Sequence, residues 1–114
     1  MNAPVVVSKP DYRGIDITEL DVSDPRMFQH DYWHDLFARL REESPVHFQP
    51  ESPAGPFWSV TRYEDIVAIE RDTDTFSSEP SIAILDPEPD MILKMFIAMD
   101  PPEHDDQRRA VHHV

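Results

Sequence analysis

Met95-Phe96-Ile97-Ala98-Met99-Asp100-Pro101-Pro102-Glu103-His104-Asp105-Asp106-Gln107-Arg108-Arg109 is the stretch that decides how this chain is understood. An apolar cluster runs into an aspartate, two prolines and an acidic turn, which is the grammar of a helix start. Asp100 fits the N-cap, Pro101 fits the first turn where its missing donor is harmless, and Glu103 completes a capping box. In that helix His104 and Arg108 stand four residues apart and therefore share a face. Both donate hydrogen bonds, and Arg108 is charged at any working pH. Near a helix start, whose free amides and positive dipole end also favour anions, the pair is suited to gripping carboxylates. Two charge-assisted hydrogen bonds of about 1.5–3 kcal/mol each would orient a ligand usefully. The same residues on an acidic helix also read as a solvated face, with contacts such as Asp105 to Arg109. A metal site is disfavoured although Asp105, Asp106, His112 and His113 crowd the stretch. His104 and His112 are eight apart with the Arg108 cation stacked between them, and no His-x-x-x-His pair occurs.

Nothing in the sequence ends this helix before Val114, so the expectation is a chain that stops within it. Upstream, residues 79–99 hold two apolar clusters, Ile82 to Leu85 and Met91 to Met99, around an Asp-Pro-Glu-Pro-Asp break. They want burial but have no clear period. Thr61-Arg62-Tyr63-Glu64 has capping-box form, which predicts a helix to about Arg71 burying Ile66, Val67 and Tyr63. Val46–Gln49 and Phe57–Val60 read as short strands of a loose hairpin. Tyr32, Trp33, Leu36, Phe37 and Leu40 fall at helical spacing from about His30, with Asp35, Arg39 and Arg41 mostly on the other side. Pro45 stops that helix. Residues 1–25 read as an extended arm held by Tyr12, Ile15, Ile17 and Leu20, and residues 26–114 as a partial domain. The fold class expected is α+β, mainly α.

Composition narrows the function classes. A formal net charge of −13 argues against a nucleic-acid partner, because phosphate binding needs clustered Lys and Arg. With no cysteine there is no disulfide, no thiolate nucleophile and no Cys-based metal site in the chain. The run Met91 to Met99, interrupted by Lys94, is far short of the roughly 20 residues a membrane span needs. The amino terminus shows neither a basic leader nor an export stretch, so the expected location is the cytoplasm. Twelve prolines against two glycines, and 39% apolar residues, suit a piece of a globular protein better than a self-sufficient core.

The Asp-Pro-Pro-x-His-x-x-x-Arg string resembles the start of the C helix of bacterial cytochromes P-450. The preceding Met-Phe-Ile-Ala-Met, with Gln107, is similar to their alkane and fatty-acid terminal hydroxylases. Trp33-His34 with Leu40-Arg41-Glu42-Glu43-Ser44-Pro45-Val46-His47 is similar to the family's A helix and first strand. Gly55-Pro56-Phe57-Trp58-Ser59-Val60-Thr61 is similar to the second strand, and Thr75-Phe76-Ser77-Ser78-Glu79 to the segment after the B helix. The resemblance implies the amino-terminal portion of that fold: A helix, two-stranded hairpin, B helix, B–C loop and the start of the C helix.

It further implies that His104 and Arg108 bind the haem propionates and that residues 79–99 roof the substrate pocket. Ile82, Ile84, Leu85, Met91, Leu93, Phe96 and Ile97 are the candidate lining residues, suited to an apolar small-molecule substrate such as an alkane. The family's axial cysteine, its acid–alcohol pair and its Glu-x-x-Arg motif have no counterpart in the chain, so by itself it is expected to be inactive. For the intact enzyme the resemblance implies oxygen activation at thiolate-ligated iron, hydrogen abstraction from a terminal carbon and hydroxyl rebound. Electrons would come from NAD(P)H through a ferredoxin reductase and a ferredoxin, with Arg109 as a candidate docking cation. The alternative from another class is a short acidic interaction module that carries no haem.

Overall fold

The computed structural model of the protein describes residues 8–112. The chain divides into two compact units, Met1–Arg62 and Tyr63–Val114. Met1 to Val7, where the absence of an export signal was read, lie outside the described residues, as do His113 and Val114. No helix among the described residues is long and apolar enough to cross a membrane.

The first unit is built on helix α2, Trp33–Glu43. The helical spacing seen in the sequence aims Leu36 and Leu40 inward, and both are fully buried. The helix begins at Trp33, later than the pattern suggests, because Asp31 sits at φ 60 and breaks the helical path. A separate short helix, α1 (Pro25–Gln29), precedes it. The sequence carried its signal, Asp24-Pro25: the Asp24 carboxylate accepts from the Arg26 amide at 2.9 Å, and Pro25 stands in the first turn.

Among the described residues of the segment read as an arm, Ile17–Glu19 form a 3-10 turn, and the segment enters the core. Leu20, Val22 and Met27 are buried with Leu36 and Leu40, while Tyr12, Ile15 and Ile17 pack against them. Arg39, expected on the solvent side of α2, is instead buried at 8% exposure. Its guanidinium donates to the carbonyls of Tyr12 (2.6 Å) and Ile15, and its Nε to Glu43 (2.9 Å). Backbone carbonyls of the incoming segment therefore draw the cation inward, a force that helical spacing does not encode. Lys9 pairs with Asp35, and Arg13 with Glu42 at 2.8 Å, along exposed edges of the same contact.

Strands β1 (Val46–Gln49) and β2 (Phe57–Val60) pair antiparallel, with Phe48 opposite Trp58 and Gln49 opposite Phe57. In β1 it is the polar pair, His47 and Gln49, that is buried, while Val46 and Phe48 are exposed. Gln49 explains its own inversion. Its Oε1 accepts from the Val22 amide at 3.1 Å, and its Nε2 donates to Asp21 at 2.7 Å and to the Glu51 carbonyl at 3.1 Å. It completes the hydrogen bonding of a backbone amide that would otherwise be buried without a partner. Thr61 gives both its amide (3.1 Å) and its hydroxyl (3.2 Å) to the Pro45 carbonyl, closing the hairpin.

In the second unit, helix α3 spans Tyr63–Arg71, two residues later than the capping box suggests, because Thr61 serves the hairpin. None of its residues is buried; Tyr63 and Ile66 are exposed, against expectation, and Val67 is half-buried. Irregular backbone with two 3-10 turns, Pro89–Met91 and Phe96–Ala98, leads to helix α4, Glu103–Val111. Among the described residues the arrangement is α+β, four α-helices and one two-stranded sheet.

Candidate functional site

The site is assembled at the start of α4. The expected side-chain cap is not made there: Pro102 precedes the helix and no side chain caps it. The Asp100 carboxylate turns backward instead, accepting from the Ser77 hydroxyl at 2.5 Å and the Ser78 amide at 2.7 Å. Those two donors, the hydroxyl first, hold its pKa below the usual aspartate range. Only its backbone serves the helix, the Asp100 carbonyl accepting from the His104 amide at 3.0 Å.

His104 is half-buried and held in place by its ring. Nδ1 lies 2.6 Å from the Phe96 carbonyl oxygen, which can only accept, so Nδ1 carries the proton of this bond. The Phe96 ring meets the imidazole edge-on, with centroids 5.7 Å apart. Nε2 is thus the one ring atom left for a ligand. Bonding an anion through Nε2–H while Nδ1–H stays on Phe96 requires the imidazolium form.

Arg108, one turn further along the same face, is exposed and has no ion-pair or hydrogen-bond partner among the described residues. The acidic residues of the helix do not neutralise it, for Asp106 is engaged by Arg109 at 3.4 Å. That pairing replaces the expected Asp105–Arg109 contact, the i,i+3 partner being taken over the i,i+4 one. A charged guanidinium and a fixed imidazole one turn apart make a donor surface that suits a ligand with carboxylate arms. Among the described residues no group of three or more His, Cys, Asp or Glu side chains gathers as a metal would need.

Beside this helix start lies an open groove of about 380 Å³ lined by Pro80, Ile92, Leu93, Ala98 and Met99, with Glu79, Lys94 and Glu103 as its polar members. A second, of about 110 Å³, is lined by Ile82, Met91, Leu93 and Met95 among others. Of the lining candidates, Ile82, Met91 and Leu93 contribute to these grooves, whereas Ile84, Leu85, Phe96 and Ile97 line neither. All seven are exposed. Sequence reasoning passed over Ile92, Met95 and Met99, which belong to the same aperiodic cluster. No local signal separates groove-facing from outward-facing members there.

No family model matches the chain. Among curated proteins it is similar to linalool 8-monooxygenase of Pseudomonas putida, at 32% identity over 102 residues, which covers 80% of this chain and 25% of the relative. It is also similar to the methyl-branched lipid omega-hydroxylase of Mycobacterium tuberculosis, at 31% over 108 residues, covering 82% and 25%. Among solved structures it is similar to CYP153D17 from a Sphingomonas species, with 41% identity and a TM-score of 0.73 over 80% of this chain and 24% of that one. For cytochrome P-450-153 from Novosphingobium aromaticivorans the identity is 38% and the TM-score 0.68, over 80% and 27%. The chain spans about a quarter of the length of the curated relatives it matches.

Proposed function

The chain belongs to the cytochrome P-450 family, and from that premise we propose that it supplies the propionate grip and part of the substrate roof of a monooxygenase acting on terminal carbons of alkanes or similar apolar chains. One observation carries the reading: His104 is locked through Nδ1 onto Phe96, which leaves Nε2 and Arg108, without a partner among the described residues, as a donor pair on one helix face. The fit to haem rests on that pair, since propionates are the porphyrin's only anionic arms and need donors at its edge. Bound haem would supply the activation of molecular oxygen.

This chain's own part is positional. His104 and Arg108 anchor the cofactor edge, and Ile92, Leu93, Ala98 and Met99 give the groove beside it an apolar wall. That wall orients a substrate by shape, which suits an unfunctionalised chain, with Glu79, Lys94 and Glu103 as the groove's polar members. The chain contains no cysteine to ligate iron, and we read it as inactive alone and active within a longer polypeptide. Electrons would arrive from NAD(P)H through a ferredoxin reductase and a ferredoxin. Arg109, exposed and paired with Asp106 at 3.4 Å, is the candidate docking cation. The cytoplasm is the proposed location.

The test uses the full-length haem-loaded protein. His104→Ala and Arg108→Ala should each weaken haem retention under mild denaturant, by about tenfold or more for one charge-assisted bond lost. Full haem occupancy in both variants would remove the propionate assignment.

A further inference from the structure

Asp100 occupies the position of a helix cap but does not act as one. Its carboxylate reaches back 23 residues to the Ser77 hydroxyl and 22 to the Ser78 amide. Ser77 is itself oriented, since its hydroxyl oxygen also accepts from the Glu79 amide at 3.1 Å. Between these two ends lies the aperiodic apolar segment 79–99, whose only regular elements are its two 3-10 turns. The second turn is tied in as well, through the 2.6 Å bond from His104 to the Phe96 carbonyl. A segment with so little regular structure has little of its own to fix its shape. Its placement depends on the neck.

We propose that Asp100 is a positioning residue that fastens the neck of segment 79–99 to the start of α4, and so sets the substrate roof relative to the cofactor grip. The inference rests on the reading of that segment as the roof. The geometry supports it in two ways. Both carboxylate oxygens are used, Oδ2 by Ser77 and Oδ1 by Ser78, so the side chain cannot rotate without breaking a bond. The same residue's carbonyl opens α4, so neck and helix share one backbone unit. The same two hydrogen bonds hold the Asp100 pKa below the usual aspartate value, which favours the ionised acceptor.

The chain offers a direct probe of the neck, because Lys94 is the only Lys or Arg between Arg71 and Arg108. Trypsin acting on the full-length haem-loaded protein therefore reports opening of this segment by cutting after Lys94. Asp100→Ala should speed that cut about tenfold and weaken n-octane binding, followed by the substrate-induced Soret shift, by a similar factor, with haem content unchanged. Asp100→Asn, which keeps an acceptor for Ser78, and Ser77→Ala, which deletes one bond, should each give about a third of that effect. If Asp100→Ala does not accumulate as folded protein, Ser77→Ala decides. Unchanged cleavage in the variants would overturn the neck, and faster cleavage with unchanged n-octane affinity would overturn its positioning role. Failure of the underlying reading looks different: haem retained by His104→Ala and Arg108→Ala, or no Soret response to n-octane in the unsubstituted protein. In that case the Lys94 cut still decides whether the neck exists.

Discussion

Replacing His104 by asparagine and, separately, by glutamine assigns the ring's two nitrogens to two different tasks. Asparagine places an amide nitrogen near the position of Nδ1 and keeps a donor for the Phe96 carbonyl; glutamine places one near Nε2 and keeps a donor for an anion. In the structure Nδ1 is committed to Phe96 at 2.6 Å, so Nε2 can contribute one hydrogen bond to a propionate. A hydrogen bond to a charged group is worth about 1.5–3 kcal/mol, and 1.4 kcal/mol is tenfold in affinity. His104→Asn should therefore lower haem affinity by about tenfold to roughly a hundredfold, whereas His104→Gln should stay within about threefold. Loss of the Phe96–His104 ring contact, at 5.7 Å, is common to both variants and cancels in the comparison. The Phe96 carbonyl also accepts from the Met99 amide at 3.2 Å, so it keeps a partner when the tie is cut and adds little to the glutamine variant's cost. The assay is the rate of haem transfer from the full-length protein to excess apomyoglobin, paired with trypsin cleavage after Lys94. Asparagine should release haem faster with the cut unchanged, and glutamine should hold haem with the cut accelerated. The opposite assignment, with glutamine losing haem and asparagine keeping it, would refute the division of tasks between the two nitrogens.

Gln49→Leu should destabilise the fold by about 2 kcal/mol in urea titration, because the buried Val22 amide loses its acceptor; a midpoint equal to wild type would show that the amide finds another. Acid should loosen the amino-terminal segment. Asp35 is held below its ordinary value of 3.8 by Lys9, and Glu42 below 4.5 by Arg13. Depressed carboxylates contribute stability that is complete above those ordinary values and disappears as pH falls through the lower folded-state values. Unfolding midpoints should accordingly fall below about pH 5, and an Asp35→Asn, Glu42→Gln variant should show a flatter acid limb; parallel limbs would discount both pairs. Both pairs are exposed, so added salt should shrink the difference.

Local pattern was enough to identify the elements that local physics forms. Helical spacing placed Leu36 and Leu40 on the buried face of α2, and the hairpin strands emerged on either side of the Pro- and Gly-bearing link where the sequence put them. The Asp-Pro-Pro-x-His-x-x-x-Arg string alone put His104 and Arg108 on one face, because four residues make about one helical turn. Tertiary structure decided which partner each polar group chose. Arg39 turned inward to carbonyls 27 and 24 residues away, Gln49 to an amide 27 away, and Asp100 to a hydroxyl 23 away. Every one of these residues also had a plausible local assignment, on a solvent face, in a strand or at a helix cap. Periodicity ranks positions by exposure along one element, but a buried carbonyl or amide must be satisfied from wherever the chain brings a partner. That choice depends on which distant segments meet, and it becomes visible only once they are folded together.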